Sequence, residues 1–148
     1  MVPMVVTLSN PRAKKTAVFE LSGVLVDTGA DKSGIPEDAV AQIEKVVGKF
    51  KKTTRLVLTG AGLTRLTVLE DVFLCIGPAG VQMSAGKMKK GDLVKGGCCT
   101  RTSLLAVPKL QASMLLGRDL LMPCRAVIDF GKKQFCFEGG GCMKMEGL

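Results

Sequence analysis

The chain has 148 residues, 47% of them apolar and 23% charged, a length and balance that suit one domain able to bury its own core. Histidine, tryptophan and tyrosine are absent, which excludes Ser-His-Asp and Cys-His nucleophile systems, a histidine general base and every zinc site that uses histidine. Lysine and arginine number 21 against 13 acids, a net charge of +8, yet phenylalanine is the only aromatic, so bases would find few stacking platforms and the charge reads first as a solubility device.

Met1 begins an apolar run that is too short for a signal peptide and lacks a basic leader. No stretch approaches the roughly 18 apolar residues of a membrane span, so a cytoplasmic, reducing location is expected. Residues 1–14 are expected to form an N-terminal segment that serves as an edge or interface strand. Residues 15–138 make the domain proper, and 139–148 a flexible tail rich in glycine.

Residues 16–21 alternate as a strand, Ser22-Gly23 offers a tight turn, and 24–26 continue as a second, apolar strand. That strand stops at Asp27-Thr28-Gly29-Ala30. Pro36 then opens a helix over 36–48, with Glu37 and Asp38 in its first turn, Val40, Ile43 and Val47 on one face, and Gly48 as its stop. A basic run fills 49–55. Residues 56–58 and 66–68 flank Thr59-Gly60-Ala61-Gly62, a hairpin with a Gly-rich tip whose second arm runs on through 72–76 to Gly77-Pro78. Residues 83–102, with five cations against Asp92, read as a basic loop insertion. A short strand over 104–108 follows, then a strand-to-helix passage over 114–122 that pivots on Gly117. Residues 126–130 and 134–138 close the chain as a hairpin. The fold class is therefore all-β, mostly strands with one or two short helices.

The six cysteines contain no Cys-x-x-Cys pair, so no zinc ribbon or other metal site is expected. Free structural thiols are the default expectation and a disulfide framework the weaker one, although the adjacent Cys98 and Cys99 could oxidise if exposed.

The chemistry gathers at Asp27. A carboxylate delivered by an apolar strand into a glycine turn is costly to ionise unless paired, and such groups are where a pKa matters. One aspartate cannot hydrolyse a peptide by the aspartic mechanism. Two facing carboxylates share one proton, one accepting a proton from water while the other donates to the carbonyl oxygen. Like charges in such close contact cannot both ionise, so the pair titrates as a unit. With one such motif per chain, the second carboxylate must come from an identical subunit across a two-fold axis.

Asp27-Thr28-Gly29-Ala30 after Val-Leu-Val, followed much later by Leu115-Leu116-Gly117-Arg118-Asp119-Leu120-Leu121, resembles the two signatures of the retropepsins, the single-lobed aspartic proteases of retroviruses, retrotransposons and their domesticated relatives. The resemblance covers about residues 15 to 138. It implies a closed acid-protease barrel, a homodimer acting on peptide or polyprotein substrates, and no metal or organic cofactor. Asp27 then matches the catalytic aspartate, Thr28 the residue that grips its counterpart across the axis, and Gly29 a backbone contact to substrate. Ala30 and Asp31 fall at the substrate cleft, and Thr59, Gly60, Ala61 and Gly62 at a flap that closes over it. Leu116, Gly117 and Arg118 support the site, with an Asp31–Arg118 ion pair implied. The strands near 126–138 fall where many relatives build the dimer seam. A retroelement origin would place the domain in a virus-like particle. The alternatives are a catalytically silent peptide-binding module with the same fold and, further off, a basic polyanion-binding protein.

Overall fold

The computed structural model describes residues 1–59, 62–78, 97–138 and 141–146. Its strands in chain order are β1 (Val2–Asn10), β2 (Lys15–Val26), β3 (Gly34–Pro36), β4 (Lys52–Thr59), β5 (Gly62–Pro78) and β6 (Cys98–Val107). They continue as β7 (Met114–Leu116), β8 (Val127–Asp129), β9 (Gln134–Cys136) and β10 (Cys142–Lys144). A 3-10 turn over Glu37–Ala39 leads into helix α1 (Val40–Val47), and a single-turn helix α2 (Arg118–Leu121) follows β7. No helix among the described residues is long and apolar enough to cross a membrane.

The sheet order β1-β2-β7-β3-β6-β5, with β5 pairing back onto β1, closes a ring of six strands. Strand β4 stands outside that ring, paired to β5 in a hairpin. The all-β class with short helices read from the sequence is the class observed. Inside the ring, Val2, Met4, Val6 and Leu8 of β1 meet Leu74 and Ile76 of β5, Leu104 of β6 and Met114 and Leu116 of β7 in one apolar core.

Residues 1–14 do not form an edge. β1 pairs antiparallel with β2 on one side and with β5 on the other, and both of its faces are covered, Val5 and Thr7 as fully as Val6 and Leu8. A strand covered on both faces reads as an unbroken apolar run, which hides the alternation that marks an ordinary wall strand. Ser22-Gly23 is likewise not a turn, because β2 continues through it, with a break in its register against β1 between Leu21 and Val24. Gly23 instead lets Met1 lie close, since a Cβ there would fall 2.9 Å from the Met1 sulfur.

The predicted helix over 36–48 is present as the 3-10 turn and α1, with Val47 buried, Val40 and Ile43 packed on the core, and Gly48 (φ +83°) ending it. The hairpin is present and longer than its apolar arms suggested, in the register Leu58↔Leu63 and Thr59↔Gly62. The expected basic insertion is shorter at its end, because Cys98 to Thr102 belong to β6; residues 79–96 lie outside the described residues. The expected tail is structured over 141–146. β10 pairs with β9, Met143 and Met145 are buried, and the Glu146 N–H donates to the Met1 carbonyl at 2.8 Å.

The cysteines are not free thiols. Three disulfides join Cys75 to Cys99, Cys98 to Cys124, and Cys136 to Cys142. Two of them follow from strand register, which sets Cys75 opposite Cys99 and Cys136 opposite Cys142. Residues directly opposite in a sheet already hold their Cβ atoms near disulfide reach. Spacing along the chain contains no trace of that register.

Candidate functional site

Asp27 leaves β2 at the point where that strand, after pairing antiparallel with β1, runs parallel to β7 in the register Val24↔Met114, Leu25↔Leu115 and Val26↔Leu116. The Asp27 N–H donates to the Leu116 carbonyl at 2.9 Å and so prolongs that ladder by one bond. The chain then turns sharply. The Ala30 N–H donates to the Asp27 carbonyl (3.2 Å), and the Gly29 N–H donates to Asp27 Oδ1 (2.9 Å). An aspartate that accepts from the amide two residues on is ordinary turn chemistry, and here it also fixes the direction of the carboxylate. Asp27 is half-buried, while Thr28 and Gly29 are exposed at the crest of the turn.

The passage from β7 into α2 props this turn from below. The Arg118 N–H donates to the Ala30 carbonyl at 2.8 Å. Gly117 fits under the turn so closely that a Cβ would stand 2.7 Å from the carbonyl carbon and oxygen of Lys32 and 3.0 Å from the Ala30 oxygen. Leu116 is fully buried in the core beneath. Residues 116–118 therefore support the turn of Asp27 through backbone contacts.

The expected Asp31–Arg118 pair is not formed. Asp31 Oδ2 instead accepts from Nη2 of Arg55 on β4 at 2.7 Å, and the Arg118 side chain is exposed on α2. Arg118 acts through its N–H, so its guanidinium is not what supports the turn. The pair that does form ties the hairpin to the Asp27 turn, although both side chains are well exposed, which keeps its energy small.

Between turn and hairpin lies a cleft of about 470 Å³. Asp27, Gly29, Ala30 and Asp31 form its floor, residues 55–58 of β4 its roof, and Leu66, Leu105, Val107 and Leu115 its apolar walls. Leu56, Leu58 and Leu63 on the hairpin are 57, 78 and 73% exposed, and the first two line the cleft that holds Asp27 and Asp31. Among the described residues β4 pairs only with β5, and no other strand lies along its outer edge. Thr59 and Gly62 close the described part of the hairpin, with Gly62 in the left-handed region (φ +105°); Gly60 and Ala61 lie outside the described residues. A larger and more open hollow of about 950 Å³ lies beside Arg101, but its acids are engaged, Asp71 with Arg101 at 3.1 Å and Glu70 with Thr53 at 2.7 Å. Among the described residues no three side chains of metal-ligating type come together.

Neither a protein-family profile nor a curated protein matches this chain. Among solved structures, the retroviral protease-like domain of Ddi1 from Leishmania major is similar to 99% of this chain and 96% of its own, with 10% sequence identity and a TM-score of 0.49.

Three residues given no role from the sequence, Asp119 within the second signature and Ser33 and Thr102 outside it, belong to the support of this site. Asp119 accepts the hydroxyl hydrogens of Ser33 (2.7 Å, Oδ1) and Thr102 (2.7 Å, Oδ2), and Ser33 Oγ accepts from the Gly117 N–H at 3.0 Å. Ser33 has no exposed surface. The one signal in the sequence was the acid directly after Gly117-Arg118; nothing local marks Ser33 or Thr102 as its partners.

Proposed function

We propose that the chain is an aspartic endopeptidase that acts as a homodimer. The observation that carries this is the placement of Asp27, with its carboxylate held by the Gly29 N–H, on the floor of a cleft walled by leucines and roofed by the β4–β5 hairpin. Each chain supplies one such carboxylate, so the pair is completed by Asp27 of a second copy.

In this reading a water molecule sits between the two carboxyls, which together hold one proton. The ionised Asp27 takes a proton from the water as its oxygen adds to the peptide carbon. The protonated Asp27 gives its proton to the carbonyl oxygen, and collapse of the tetrahedral intermediate passes a proton to the leaving nitrogen. A substrate in extended form adds a strand to the outer edge of β4 and sets alternate apolar side chains against Leu66, Leu105, Val107 and Leu115. Because the pair must carry a single proton, turnover is confined between its two macroscopic pKa values.

The test is cleavage of an unfolded protein or peptide library by wild type and by Asp27→Asn, with a statine-type transition-state analogue as inhibitor. Inhibitor-sensitive cleavage by the wild type alone is expected. Undiminished turnover by folded Asp27→Asn refutes the role of Asp27. Analogue binding without cleavage by the wild type replaces the endopeptidase with a silent peptide-binding module.

A further inference from the structure

We infer that Asp119 is a positioning residue of this site, holding the turn of Asp27 through Ser33 and Gly117; the inference rests on the endopeptidase reading above. A carboxylate can only accept, so both hydroxyls that reach it must donate. Ser33 has one hydroxyl hydrogen to donate, and it points to Asp119 Oδ1. Only the lone pairs of Ser33 Oγ then face the Gly117 N–H, the orientation needed to accept it at 3.0 Å. Ser33 is fully buried, so bulk water cannot substitute in this role.

From Gly117 the contact passes directly to the turn, since its Cα packs beneath Lys32 and Ala30 and the next N–H holds the Ala30 carbonyl. Ser33 is anchored a second time through its carbonyl, which accepts the Leu105 N–H at 3.0 Å. Thr102, the other donor to Asp119, lies on the same strand as Leu105. One carboxylate thus locks three segments together: β6, the chain leaving the Asp27 turn, and the start of α2. Asp119 does not line the cleft, so its removal should disturb the placement of Asp27 and leave the apolar walls intact.

The experiment measures kcat, KM and NMR amide exchange for Asp119→Ala, Ser33→Ala and the double variant, at a temperature where wild type and variants are folded. Each single change is expected to lower kcat roughly tenfold to a hundredfold with KM held within about twofold. The double variant should be no slower than the worse single, because both changes break one chain of contacts. Asp119→Asn, which keeps an oxygen for Ser33, should recover most of the rate. Exchange should quicken at the Gly117 and Arg118 amides and stay at the wild-type rate at Leu74 in the barrel wall. Multiplying losses, an effect on KM alone, or unchanged Gly117 exchange overturns the inference. If Asp119→Ala does not fold, Ser33→Ala decides, since it spares the carboxylate and its Thr102 bond. Wild-type kcat and Gly117 exchange in that variant refute positioning. If the wild type shows no Asp27-dependent cleavage, the endopeptidase reading falls by itself, and the exchange measurement still decides what Asp119 holds.

Discussion

Replacing Gly117 by alanine probes the support of the Asp27 turn at its tightest point. The Gly117 backbone (φ −103°, ψ −176°) is extended and open to any residue, so torsional strain contributes nothing. The cost is contact. The new methyl would lie 2.7 Å from the Lys32 carbonyl carbon and oxygen, roughly 0.7 Å inside ordinary contact, and 3.0 Å from the Ala30 oxygen. These are backbone atoms of the turn, so no side-chain rotation relieves them and the turn itself must move. Overpacking of this kind costs about 1–3 kcal/mol. At about 2–4 °C per kcal/mol for this chain length, the midpoint of thermal unfolding should fall by roughly 2–12 °C. A displacement approaching 1 Å at a reacting group also costs about a hundredfold in rate. Circular-dichroism melting and kcat on an unfolded protein substrate measure both effects. Gly131→Ala is the control, since its methyl would meet only Asp129 Oδ1, at 3.4 Å. If Gly117→Ala melts within about 1 °C of the control and turns over as fast, the close seat under the turn does not matter and the reasoning fails.

Three further outcomes follow from other parts of the fold. Burial pushes the Glu44 carboxyl up, but hydrogen bonds from Lys52 Nζ (2.8 Å) and the Phe50 N–H (2.9 Å), with the charges of Lys52 and Lys49, outweigh it and hold the group below its usual value. Its contribution is therefore complete above the unfolded-state pKa and is lost as pH falls through the lowered folded one, so the melting gap between wild type and Glu44→Gln should shrink on acidification; a constant gap contradicts this. For the disulfides, loop-closure entropy scales with separations of 26, 24 and 6 residues. Breaking Cys98–Cys124 or Cys75–Cys99 should cost about 3.5 kcal/mol and Cys136–Cys142 about 2 kcal/mol, an order that denaturant unfolding of the three paired Cys→Ala variants can reverse. Double-mutant cycles on stability should give about 0.2–1 kcal/mol for Arg55 with Asp31 and no coupling for Arg118 with Asp31; coupling in the second cycle would restore the pair implied by the retropepsin resemblance.

What the sequence made legible was local. Pro36, the acids after it, the Val40/Ile43/Val47 face and Gly48 mark one helix within a single stretch of chain, and α1 lies there. The same holds for the hairpin, for the apolar strand that ends at Asp27, and for the pivot at Gly117. What stayed hidden depends on which strands meet. Asp31 finds Arg55, 24 residues away, because β4 folds back over the turn, and no spacing rule prefers it to Arg118. The disulfides needed the register of β5 with β6 and of β9 with β10. β1 passed for an edge because its two covered faces erase the period-two pattern, and Ser33 drew no notice because its role exists only where Asp119 and Gly117 converge on it.

The requirement for two copies of Asp27 is tested most directly by mixing. Wild type and folded Asp27→Asn are equilibrated at a fixed total concentration, and cleavage is followed as the wild-type fraction falls. If each site needs an aspartate from both chains, activity follows the square of that fraction, and an equal mixture retains about a quarter of the wild-type rate. A linear decline, with about half the rate at equal mixing, would mean that one chain's carboxylate suffices and that the shared-proton pair does not exist.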